Sequence, residues 1–236
     1  MNIVDYVILG LMGVSILFGF YRGFISSVLN LGGALLSFAG AFFLYPHLSA
    51  YIFSNKDWVT AMLHYTDANS RLKDLAVAVT NVAQMGGDAV KQVVSKAALP
   101  PPLDKLLQAN LENQAFASSA GVASAAEYVT QTIVTAAVNI VSFLLCFVAA
   151  YLVLSILQNM LRAIFRFPVL KQLDWLAGGA FGFFRGMVIC YALFALVPLV
   201  MTIVPLKEVQ VMLEQSQLAP IFHNGNLILA IMNGKL

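Results

Sequence analysis

The chain has 236 residues, of which 60% are hydrophobic and only 10% charged, whereas soluble domains average roughly 25% charged residues. So little polar surface cannot coat a water-soluble fold of this size, and lipid is the natural solvent for the excess. A net charge of +2 gives no basic footprint for nucleic acid.

The N-terminal Met1-Asn2-Ile3-Val4-Asp5 has no basic region, and no small-x-small cleavage site follows the first apolar run. It reads as a retained helix and not as a secretory signal. Four apolar stretches reach the ~20 helical residues that a bilayer core requires. They run from Ile3 to Tyr21, from Phe24 to Tyr45 with an end at Pro46, from Ile133 to Leu157, and from Trp175 to Val204 with a kink at Pro198. Backbone groups in lipid must be satisfied within the segment, so each is expected to be a helix. The fold expected is all-α and polytopic. Residues 1–46 form a first transmembrane hairpin, 47–130 a helical extracytoplasmic segment, 131–205 a second hairpin, and 206–236 a short amphipathic tail. Cys146 and Cys190 lie inside apolar runs and read as small hydrophobes.

Basic residues set the orientation. Arg22 lies in the first short connection, and Arg162, Arg166 and Lys171 in the connection between spans three and four. Both connections then face the cytoplasm, and residues 46–132 face outward. In that outer segment Leu72, Leu75, Ala76, Val79 and Val82 repeat at helical spacing, and Gly86-Gly87 ends the pattern. Asp88 is expected to N-cap a helix carrying Val90, Val93, Val94 and Ala97. After Pro100-Pro101-Pro102, a third helix carries Leu103, Leu106, Leu107 and Leu111. A further helix begins after Gly121 and runs into the third span. These apolar stripes can be covered by one another, by the outer leaflet, or by a partner protein. In the tail, Val209, Met212 and Leu213 form a stripe that Pro220 is expected to stop.

Small residues recur four apart at Ser15, Gly19 and Gly23, at Gly33, Ser37 and Ala41, and at Gly178, Gly182 and Gly186. Such ridges let helix backbones approach closely, which drives association inside lipid. They favour a compact bundle or a homo-oligomer. Gly19-Phe20-Tyr21-Arg22-Gly23 and Gly182-Phe183-Phe184-Arg185-Gly186 nearly duplicate each other. Arg22 fits an interfacial anchor with aromatic neighbours. Arg185 has two geometries open to it. Counted from Trp175 it lies near the bilayer centre, where an arginine marks a functional site; alternatively residues 175–184 lie along the interface and Arg185 sits at the rim, level with Arg22. Asp174 lies ~16 Å from Arg185 along a shared helix, too far to pair. Asp5 is expected to cap the first helix, with a cavity-facing role as the alternative.

His47, His64 and His223 have no metal-ligand spacing, and no nucleophile, metalloprotease or phosphate-loop motif occurs. No catalytic residue, metal or cofactor is implied.

The chain opens on Val4-Asp5-Tyr6-Val7-Ile8-Leu9-Gly10, followed by Arg22-Gly23-Phe24. Later come Leu173-Asp174-Trp175-Leu176-Ala177-Gly178, then Gly182-Phe183-Phe184-Arg185-Gly186, and in the tail Ser216-Gln217-Leu218-Ala219-Pro220. In this order and spacing they resemble the colicin V production protein (CvpA) family. The resemblance covers both membrane-spanning halves and the tail. The long outer segment departs from the shorter members and resembles the enlarged loop of Gram-positive relatives. The resemblance implies a multi-pass protein of the bacterial cytoplasmic (inner) membrane, involved in toxin (colicin V) production or export and in envelope homeostasis. It implies no enzymatic residues. Two functions stay open: a membrane scaffold or accessory factor whose outer segment binds an envelope partner, and an oligomeric channel or transporter with Arg185 on its path. The lipid bilayer is the partner common to both.

Overall fold

The computed structural model describes residues 2–66, 72, 74–118, 121–164, 171–203, 207–223, 231 and 233–234. Arg71, Lys73 and Arg166 lie outside these residues, as do the side chains of Arg162, Lys171, Asp174 and Val209. The described elements are helices, with an isolated bridge between Asn81 and Ser124. In chain order they are α1 (Ile3–Ser54), α2 (Lys56–Thr66), α3 (Leu75–Ala78), a 3-10 turn (Val82–Gln84), α4 (Gly87–Ala97), α5 (Leu103–Glu112), α6 (Ala125–Ile164), α7 (Lys171–Phe194), α8 (Val197–Ile203), α9 (Lys207–Glu214) and α10 (Ala219–His223). Among the described residues, four stretches are long and apolar enough to cross a membrane: Ile3–Phe24, Ser26–Ser54, Ala125–Met160 and Trp175–Thr202. The chain is an all-helical, four-span membrane protein.

α1 holds the first two spans, separated at Gly23, whose φ of 78° lies in the left-handed region that glycine enters freely. Ser27 Oγ donates to Gly19 O at 3.2 Å. Eight residues of straight helix would separate the two by ~12 Å, so the chain folds back here. The second span continues through Pro46 to Ser54 instead of ending at the proline. A proline forfeits one helical hydrogen bond, and this one is flanked by the buried Tyr45, Ser49 and Ile52. Where the fourth span was expected to kink, the helix is interrupted. α7 ends at Phe194 and α8 restarts at Val197, because Pro198 has no N–H to offer the preceding turn.

The chain divides into two compact units. The first comprises residues 1–45, 142–195 and 211–223. Its second and third spans meet through rings, with Phe143 5.3 Å from Phe38 and 5.0 Å from Phe42 between centroids. The second unit comprises residues 46–141, 196–210 and 224–236. There Ser49 Oγ donates to Asn139 Oδ1 at 2.6 Å, and Val59, Met62 and Leu63 of α2 pack on Ile52, Val134 and Val138.

In this second unit α4 and α5 pack on each other, burying Val90, Val93 and Ala97 together with Leu103, Leu106, Leu107 and Leu111. Those stripes are thus covered from within the chain. Asp88 is not the cap of α4; Gly86 holds that position and Asp88 lies in the first turn. The helix expected through Val82 stops at Ala78. Asn81 Oδ1 instead accepts from Ala83 N at 2.9 Å, and Val82 N donates to Ala123 O at 2.9 Å. α6 begins with a capping box: Glu127 Oε2 accepts from Ser124 N and Ala123 N, each at 2.8 Å. Pro220 does not stop the tail helix either. α9 has already ended at Glu214, and Pro220 sits in the first turn of α10, where its missing N–H costs nothing.

Candidate functional site

The sequence signatures converge within the first unit, where the first span and α7 cross. A β-carbon placed on Gly19 would lie 2.3 Å from Gly178 O and 3.0 Å from Gly182 Cα. One on Gly178 would lie 2.5 Å from Gly19 O and 2.9 Å from the carbonyl carbon of Gly23, and one on Gly182 would lie 2.6 Å from Ser15 O. Gly186 faces Met12 Sδ at 2.9 Å and Ser15 Cβ at 3.2 Å by the same measure. The ridge of Ser15, Gly19 and Gly23 therefore meets the ridge of Gly178, Gly182 and Gly186, backbone to backbone at Gly19, Gly178 and Gly182, where a side chain would clash. Ser15 Oγ donates to Gly182 O at 2.7 Å across the contact. By contrast, Ser37 of the third small-residue run bonds its own helix, donating to Gly33 O at 2.6 Å.

Numbers fall along the first span as they rise along α7, so the two helices are antiparallel. Aromatic rings close one end of the crossing. Phe20 stacks on Trp175 at 4.3 Å, over Gly179, and Phe24 meets Phe181 edge-on at 5.4 Å.

This register fixes the two arginines. Gly23 lies beside Gly178, so the exposed Arg22 belongs to that end of the crossing, with its guanidinium carbon 5.8 Å from the Phe18 ring centre. Arg185 is seven residues further along α7, which is ~10 Å. Its neighbour Gly186 touches Met12 and Ser15, in the middle of the Ile3–Phe24 span. Arg185 is thus not level with Arg22, and residues 175–184 run against the first span instead of leaving it. Arg185 is half-buried, and its Nε is enclosed without a hydrogen-bond partner.

Asp5 occupies the opposite end. It is fully buried, and it is not itself the helix cap. Asn2 holds that place, its Oδ1 accepting from Val4 N at 2.9 Å and from Asp5 N at 3.3 Å. Asp5 Oδ2 returns the contact by accepting from Asn2 N at 2.8 Å, which closes a capping box. Its Oδ1 accepts from Ser216 Oγ at 2.6 Å, Gln217 N at 3.0 Å and Leu218 N at 3.1 Å. Ser216 Oγ in turn accepts from Ala219 N at 2.9 Å and so starts α10. The opening signature around Asp5 thereby holds the tail signature from Ser216 to Pro220. Asp5 and Arg185 are not paired, and the side chain of Asp174 lies outside the described residues. Sequence reasoning missed Ser216 as Asp5's partner, although Asn2-x-x-Asp5 carries the spacing of a capping box.

The sequence profile described as colicin V production protein matches residues 4–107 and 115–226. A colicin V production protein homolog from Haemophilus influenzae is 43% identical over 49 residues, covering 21% of this chain and 30% of that relative's length. No solved structure matches the chain.

Proposed function

The chain belongs to the colicin V production protein family, and on that premise we propose that it is a scaffold or accessory factor of the bacterial cytoplasmic membrane. In this reading it serves toxin production or export and envelope homeostasis, without catalysing a reaction. The four spans anchor the protein, and residues 47–130, on the outer face, engage an envelope partner.

The observation that carries the reading is the glycine crossing. Gly19, Gly178 and Gly182 bring two helices into backbone contact, which builds a rigid anchor and leaves little room for a path between them. The apolar stripes of α4 and α5 are consumed by each other. A partner would therefore meet exposed groups of the segment, such as Trp58 and Val79. In-cell crosslinking from Trp58 and Val79 positions, read against a deletion of residues 55–120, tests this. Specific envelope adducts and loss of the phenotype on deletion are expected. No adduct, together with a phenotype that survives deletion, would overturn it.

A second reading is favoured by Arg185. A half-buried guanidinium at mid-span, with Nε unpartnered, suits an anion-attracting path in a homo-oligomer. Solute flux through reconstituted protein that disappears in Arg185→Gln would establish it.

A further inference from the structure

The segment 211–223 does not hold itself together. α9 has eight residues and α10 five, well short of the ~12–15 that an isolated helix needs in water. Its order comes from docking onto the first span and α7. On the first span, Asp5 Oδ1 gathers Ser216 Oγ and the backbone N–H groups of Gln217 and Leu218, and the Asn2 side-chain amide donates to Met212 O. On α7, Tyr191 Oη donates to Ile221 O at 3.0 Å, and the Phe222 ring lies 5.1 Å from Tyr191 and 5.5 Å from Phe194.

These anchors lie at one level. The register that sets Met12 beside Gly186 carries Asp5 two turns further, to the level of Phe194. The first span and α7 are therefore fastened twice: by glycine contact at the Gly23–Gly178 end, and by the tail at the Asp5–Phe194 end. The two fastenings differ in kind. Backbone contact between glycines cannot be undone without separating the helices. The tail is held by side-chain contacts: the Asp5 carboxylate, the hydrogen bonds from the Asn2 amide and the Tyr191 hydroxyl, and the Phe222 ring against Tyr191 and Phe194.

We propose that residues 211–223 are a detachable strap across the first span and α7, pinned by Asp5. Undocking the strap frees that end of the crossing, two turns beyond Arg185, while the glycine end stays closed. Asp5 is thus a positioning residue for the tail. Its two oxygens are occupied by four donors, Ser216 Oγ and the N–H groups of Asn2, Gln217 and Leu218, so while the strap is docked it does not serve a path. This inference is independent of whether the protein acts as scaffold or channel.

The test uses the full chain in nanodiscs, with Cys146 and Cys190 replaced by alanine and a reporter cysteine at Ala219, which is 1% exposed. A bulky, water-soluble maleimide should label Ala219→Cys slowly, and at least about tenfold faster once Asp5→Ala removes the acceptor of three hydrogen bonds. Ser216→Ala leaves Asp5 in place and should accelerate labelling by a smaller factor, which keeps the test open if Asp5→Ala fails to fold. Arg22→Gln, at the other end of the crossing, should leave the rate unchanged. Equal rates in the Asp5 and Ser216 variants and their parent would overturn the proposal. So would rapid labelling in the parent itself.

Discussion

Ser15 donates its hydroxyl to the carbonyl of Gly182 at 2.7 Å, and a β-carbon on Gly182 would come within 2.6 Å of the carbonyl oxygen of Ser15. The same pair thus supplies both the polar tie and the close approach of the first span and α7. Gly182→Ala and Gly19→Ala press a methyl group into backbone, which cannot yield as a side-chain tip can. Each should destabilise the protein by about 1–3 kcal/mol, the usual range for overpacking. Gly186→Ala meets chiefly the flexible Met12 thioether and should cost less than either. Gly10→Ala and Gly13→Ala meet nothing within 4 Å and serve as neutral controls. Thermal unfolding in one detergent orders the five variants, and a flat series would contradict the crossing.

The aromatic end of the crossing makes a spectroscopic prediction. A β-carbon on Gly179 would fall 2.0 Å from the Phe20 ring, which is itself stacked on Trp175 at 4.3 Å. In a Trp58→Phe background, Trp175 is the sole tryptophan. Gly179→Ala should push Phe20 aside and shift the Trp175 emission, and Phe20→Ala should shift it in the same direction. Unchanged emission in both would separate the rings.

The spans were legible because lipid demands uninterrupted apolar length, a local property of sequence. The glycine ridges were legible as faces, but not as partners: four-residue spacing says that a face is small and nothing about which face it meets. That is why the sequence leaves the register of Arg185 along the first span open, and the placement of Gly186 beside Met12 and Ser15 supplies it. Asp5 illustrates the harder limit. Its principal partner, Ser216, lies 211 residues away, and no periodicity connects them. Local signals could have gone further in two places. Asn2-x-x-Asp5 and Ser124-x-x-Glu127 both have capping-box spacing, and the second marks the start of α6.

In the second unit, Asp74 pairs with Lys96 of α4. That hydrogen bond, ahead of the Lys96 charge and the backbone N–H groups of Val77 and Ala76, holds the Asp74 carboxyl below its ordinary pKa. A carboxylate depressed in the folded state contributes stability above its unfolded pKa, ~3.9, and loses it as pH falls through the lower folded value. The tie between Asp74 and α4 is therefore fully present near neutrality and fades below about pH 4. Asp74→Asn should remove that part of the acid dependence, and so should high salt, because both partners are exposed. Hydrogen exchange at α4 amides across this pH range reads the effect, and identical acid profiles for parent and variant would contradict it.

Arg185 supplies the last prediction. A guanidinium at mid-span is costly, by about 2.5–3.5 kcal/mol on insertion scales for a helix centre. Half-burial and an Nε without a partner mean that the fold recovers only part of that cost. Arg185→Leu should therefore raise thermal stability, by about 1–3 kcal/mol, whereas Arg22→Leu, exposed beside Phe18, should change it by less than about 0.5 kcal/mol. The comparison separates structure from function. A stabilised Arg185→Leu protein that has lost its phenotype or its flux would make Arg185 a functional charge held against the interest of the fold. A destabilised variant would mean that the guanidinium is paired within the bundle after all, and the channel reading would lose its support.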